Sequence, residues 1–118
     1  MEQAFSTSQL EDICFERRGI LNELAHRRKP AFFPPATAGS TRVWFGPALY
    51  SVFALAFLWE HGYTMEKATS YAEQVFHHLT DHPDANTVLL ETGIVSLEID
   101  LRDLKQTFDL DRRIVEYG

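Results

Sequence analysis

Cysteine, cations and long apolar runs are all scarce in this sequence. The single Cys14 cannot form an intramolecular disulfide. No basic segment followed by an apolar one opens the chain, so a secretory signal is not expected and the cytoplasm is the expected compartment. The most apolar run, ALYSVFALAFLW from Ala48 to Trp59, falls short of the roughly 20 apolar residues that cross a bilayer. It predicts a buried core helix and no membrane partner. Eleven Lys and Arg stand against 17 Asp and Glu, and the resulting formal net charge of -6 counts against tight non-specific binding to DNA.

What is present is a foldable composition. At 118 residues, with 45% hydrophobic and 13% aromatic residues, the chain has enough apolar surface for one core and too little length for two ordinary domains. No internal repeat or low-complexity segment interrupts it. The charge is unevenly divided. Residues 1 to 47 carry six cations and five acids, a balance of +1, whereas residues 48 to 118 carry five cations and twelve acids, a balance of -7. Every cation of the first part lies between Arg17 and Arg42, so a local basic face is compatible with an acidic total.

Local signals then order the chain. Ser6 with Gln9 three residues on is a capping-box pattern, predicting a helix from Thr7 to Cys14 that buries Leu10, Ile13 and Cys14 and turns Gln9, Glu11 and Asp12 away. After a turn at FERRG, ILNELAHRR predicts a second helix with Ile20, Leu21 and Leu24 inward and Asn22, His26 and Arg27 outward, ended by Pro30. Two short helices about a tight turn form a helix-turn-helix pattern. Phe32 and Phe33, the turn-rich PPATAGST and the β-forming TRVWF predict a two-stranded hairpin with an Arg-bearing tip. Pro47 then begins a helix to Glu60, apolar nearly all round, and Thr64 caps another that carries Ala68, Tyr71, Ala72, Val75, Phe76 and Leu79 on one stripe. TVLLE and IVSLEIDL around a Thr-Gly turn predict an antiparallel hairpin with one solvated face, and Asp100 caps a last short helix.

This order, with AGSTRVWF fitting a Gly-x-x-Arg-x-aromatic pattern and LWEHGYTMEKA a Leu-x-x-x-Gly-hydrophobic-Ser/Thr-x-x-x-Ala pattern, resembles the DNA-binding module of the MerR family and its smaller excisionase and repressor relatives. The resemblance implies an α+β, mainly α, winged helix-turn-helix over residues 5 to 80. The hairpin and short helix at 81 to 118 lie beyond it; the family's long dimerising helix is missing, so either this part is the dimerisation element or the protein does not dimerise. It places the second helix in the major groove and the wing arginine against DNA.

The candidate DNA contacts are accordingly Arg17, Arg18, Arg27, Arg28 and Lys29 around the second helix, with Arg42 and Thr41 in the wing. Cations neutralise phosphates, and Asn22 and His26 are placed to reach base edges. The same cations would equally suit a solvated surface. Trp44, Phe45, Phe32 and Phe33 suit a core better than a stacking platform for bases. His78 and His82 are four apart, but a zinc site wants four ligands and Cys14 lies far off, so no metal or other cofactor is expected. No nucleophile-base pair or phosphate-binding glycine loop can be assembled, and no enzymatic role is expected. The expected function is a cytoplasmic, homodimeric regulator of transcription that binds double-stranded DNA. A protein-interaction module on the same fold, whose acidic C-terminal part meets a basic partner, is the alternative, together with a recombination accessory factor of the excisionase kind.

Overall fold

In the computed structural model, which describes residues 4–35, 42–91 and 96–107, the first helix begins where its capping residues require. The N–H of Gln9 donates to Ser6 Oγ at 3.3 Å and the N–H of Ser6 donates to Gln9 Oε1 at 3.0 Å, closing the capping box at the start of α1 (Thr7–Cys14). Leu10, Ile13 and Cys14 are buried as the periodicity predicts. Glu11 departs from it. Expected to face outward, it is only 3% exposed, and its carboxylate accepts a hydrogen bond from the backbone N–H of Leu21 at 2.9 Å.

The cause lies in the next helix. α2 (Ile20–Arg27) starts from Gly19, whose φ of 91° lets the chain reverse but which has no side chain to accept from the first-turn N–H groups. Glu11 supplies the missing acceptor from α1. Ile20, Leu21 and Leu24 are buried, as expected.

The predicted hairpin of Phe32-Phe33 with TRVWF is corrected by the structure. β2 (Val43–Phe45) forms, but it pairs antiparallel with β1 (Ala4–Ser6), placing Ala4 opposite Phe45, Phe5 opposite Trp44 and Ser6 opposite Val43. Phe32 and Phe33 lie instead in a turn, where the N–H of Phe33 donates to the Pro30 carbonyl at 3.2 Å. Pro34 and Pro35 follow directly and have no N–H groups, so a ladder cannot run on from Phe33. The expected wing tip, including Ser40 and Thr41, lies outside the described residues. Trp44 and Phe32 are buried and Phe33 partly so, but Phe45, expected in the core, is 48% exposed.

α3 (Gly46–Glu60) runs through the middle of the molecule, with Leu49, Val52, Phe53, Ala54, Leu55, Ala56 and Leu58 all buried. Ser51, the polar side chain among the buried residues of α3, donates its hydroxyl to the Pro47 carbonyl at 2.7 Å. Gly62, at φ 95°, turns the chain into α4 (Met65–Asp81), whose first turn is capped by Thr64 Oγ1 accepting from the N–H of Lys67 at 3.2 Å. α4 buries Ala68, Ala72, Val75 and Leu79, and its packing against α3 is the most extensive among the described elements.

β3 (Thr87–Glu91) and β4 (Ser96–Asp100) pair antiparallel with Leu90 opposite Leu97; the Thr-Gly turn expected between them lies outside the described residues. Asp100 Oδ1 accepts from the N–H groups of Arg102 at 2.8 Å and Asp103 at 3.3 Å and so starts α5 (Leu101–Thr107). Val88, Leu90, Ile99, Leu101 and Leu104 join the same core as α3. The architecture is α+β and mainly helical, with two small antiparallel sheets among the described residues. Among the described residues no helix is long and apolar enough to cross a membrane.

Candidate nucleic-acid interface

The burial of α2 decides which of its side chains reach solvent. With Ile20, Leu21 and Leu24 turned into the core, Asn22, Glu23, His26 and Arg27 are exposed, and the helix end adds exposed Arg28 and Lys29. Arg28 closes the helix through its N–H on the Leu24 carbonyl at 3.0 Å, and Lys29 takes a φ of 45° that forces the chain to leave the helical path before Pro30. Glu73 on α4 ties down the segment beyond, accepting from the N–H of Ala31 at 3.0 Å.

Two arrangements of side chains result. Asn22 and His26, four residues apart, share one side of the helix, whereas Glu23 and Arg27, also four apart, share another. The second pair edges a groove of about 470 Å³. Arg17, Arg27 and Arg28 bring its positive charge, and Ile20, Leu24, Trp59 and Met65 its apolar lining. Trp59 is 37% exposed and packs at 5.9 Å from Phe15. The apolar run that ends in Trp59 reads as core throughout, so the sequence places Trp59 inside, whereas at the end of α3 it reaches the surface.

The cations are not equivalent. Arg17 donates through Nη2 to both carboxylate oxygens of Glu23, at 3.2 and 3.4 Å, and Arg18 holds Asp12 at two points, Nε to Oδ1 at 3.3 Å and Nη2 to Oδ2 at 3.1 Å. The Arg18 hydrogen bond holds the Asp12 carboxyl below its ordinary value of 3.8. Both pairs are exposed, where solvent screening leaves an ion pair little net strength. A phosphate competing for either arginine therefore meets little resistance. Asn22, His26, Arg27, Arg28 and Lys29 make no side-chain hydrogen bond or ion pair among the described residues.

Arg42 is tethered at the root of the loop and does not hang at its tip. Its Nε donates to the Pro34 carbonyl at 3.0 Å and its guanidinium lies 5.6 Å from the centre of the Phe33 ring, within cation-π range. Phe33 in turn packs edge-on against Trp44 at 4.9 Å, and the Trp44 indole N–H donates to Thr7 Oγ1 at 2.9 Å. The arginine is thus aimed by a chain of contacts reaching back to α1. Thr41, its expected companion, lies outside the described residues. Compared with family models, curated proteins and solved structures, the chain matches none of them.

Proposed function

We propose that this protein is a sequence-specific regulator that binds double-stranded DNA through α2, in the manner of the MerR-like helix-turn-helix proteins its motifs resemble. The observation that carries this reading is the outward side of α2, where Asn22, His26 and Arg27 are exposed and unpaired among the described residues while the opposite side is locked into the core. Eight helical residues span about 12 Å, a length that suits the mouth of a major groove about 12 Å wide. Asn22 has the paired donor and acceptor that match adenine's N6 and N7, and Arg27, Arg28 and Lys29 follow it to meet the phosphates. The tether on Arg42 supports a flanking contact. One of its five N–H donors holds the side chain in place, and the guanidinium's remaining donors suit an oxygen of the backbone.

Selection of bound sequences from a random DNA pool, followed by binding at increasing salt, tests the proposal. A recovered consensus and a clearly negative slope of log affinity against log salt are expected, and a palindromic consensus would add the two-fold symmetry of a dimer. Recovery of no sequence, or a slope near zero, would end this reading.

A second reading, a docking module for a basic protein, has an observation of its own. The strands β3 and β4 carry Glu91, Glu98 and Asp100 and no cation. The double substitution Arg27→Ala with Arg28→Ala separates the two, since it weakens DNA binding and leaves a partner on the hairpin untouched.

A further inference from the structure

Among the described residues, the hydrogen-bond parity of the C-terminal hairpin leaves one of its two edges without a partner. In an antiparallel ladder, facing residues alternate between pairs that exchange both backbone hydrogen bonds and pairs whose N–H and C=O groups point outward. The N–H of Leu101 donates to the Asn86 carbonyl at 2.9 Å, which sets the alternation: Val88 with Ile99 and Leu90 with Leu97 exchange bonds, whereas Leu89 with Glu98 and Glu91 with Ser96 point theirs away. On the β3 side the outward groups of Glu91 are taken. The Glu91 N–H donates to Gln74 Oε1 at 3.0 Å and the Gln74 Nε2 donates to the Glu91 carbonyl at 3.2 Å, so a side-chain amide from α4 stands where a neighbouring strand would lie. On the β4 side the outward groups of Ser96 and Glu98 meet no partner among the described residues. They are spaced two residues apart, about 6.8 Å, the repeat that one extended strand satisfies.

The side chains around this edge select what can join it. The outer face presents Glu91, Glu98 and Asp100 beside the exposed Leu89, and neither strand carries a cation. The inner face ends in Leu97, which is half-buried at the rim of the core. A strand added beside β4 therefore places alternate side chains next to carboxylates and next to Leu97. An antiparallel second copy of β4 centred on Glu98 would bring that carboxylate against its own counterpart, and like charges facing one another across a sheet are destabilising. We propose that the open edge of β4 binds an extended segment of a partner protein in which cationic residues alternate with apolar ones, pairing its backbone with Ser96 and Glu98. This stands independently of DNA binding by α2, because the two surfaces share no residue.

Amide hydrogen exchange on the full chain, with a blocked ten-residue peptide of alternating Arg and Val as the probe, tests the proposal. Added strand pairing slows exchange at Ser96 and Glu98 by about tenfold or more and leaves Leu97 and Ile99, already bonded within the hairpin, unchanged. The substitution Glu98→Arg weakens the peptide by about tenfold with unchanged circular dichroism; Glu98→Gln, which keeps the shape, gives a smaller loss in the same direction. Three results would overturn it: no protection of Ser96 and Glu98 at millimolar peptide, equal protection by a peptide of alternating Glu and Val, or protection without peptide that rises with protein concentration alongside a dimer in light scattering. The last would assign the edge to a second copy.

Discussion

The carboxylate of Glu11, on α1, caps α2 by accepting the backbone N–H of Leu21 at 2.9 Å, and in doing so it is almost wholly withdrawn from solvent. This hydrogen bond ties α1 to the first turn of α2, the helix of the proposed DNA interface. Removing it strands a buried donor, which costs about 1–3 kcal/mol. Glu11→Ala is expected to lower stability by that amount, and Glu11→Gln, which keeps an acceptor oxygen, by less. Urea unfolding of the two variants measures the difference.

Gly19 starts α2 at a φ of 91°, yet a methyl group built there would meet nothing within 4 Å. The penalty for Gly19→Ala is therefore one of backbone conformation alone, roughly 1–2 kcal/mol. A loss much larger than this in thermal unfolding would indicate a steric conflict that the open space around Gly19 argues against.

The two arrangements of side chains on α2 predict different DNA phenotypes. Substituting Arg27, Arg28 or Lys29 by Ala should weaken binding to all sequences alike and reduce the salt slope by about 0.9 for each phosphate that is no longer neutralised. Asn22→Ala should instead leave the slope unchanged and cost about 1–3 kcal/mol of discrimination at one base position. Binding isotherms on a consensus site and its single-base variants, each at several salt concentrations, distinguish them.

Asp12 offers a pH-dependent readout. Because Arg18 lowers the folded-state pKa of Asp12, the pair stabilises the fold at pH values above the unfolded pKa near 3.8 and loses that contribution as pH falls through the lowered folded value. In Arg18→Ala the Asp12 titration midpoint, followed by carboxyl carbon NMR, should rise toward 3.8. An unchanged midpoint would mean that the pair seen at 3.1 Å does not persist in solution.

Gln74 is expected to protect one amide. Gln74→Ala removes both bonds to Glu91, so exchange at the Glu91 N–H should quicken while Val88 and Leu90, bonded within the hairpin, keep their rates. The stability change should be about 1–2 kcal/mol, since the freed groups lie at the surface and water replaces the missing partner.

Most of the helical frame was legible in the sequence because its causes are local. Ser6 with Gln9, Thr64 with Lys67 and Asp100 with Arg102 act within one helical turn, and the alternation in β3 and β4 follows from a two-residue period. The inward side of α2, and with it the exposure of Asn22, His26 and Arg27, was legible for the same reason. What the tertiary structure alone decided involves residues far apart in the chain. β2 takes β1 as its partner, and not the segment of Phe32 and Phe33, because two prolines end that segment and the backbone groups of Ala4–Ser6 are available. Glu11 is buried because Gly19, eight positions on, has no side chain to cap its helix. Arg42 is held at the root of its loop because Pro34 and Phe33 come to rest beside it. Period and capping are properties of neighbouring residues and can be read along the chain; the choice of a strand partner or a buried acceptor depends on which unsatisfied groups meet once the core has closed.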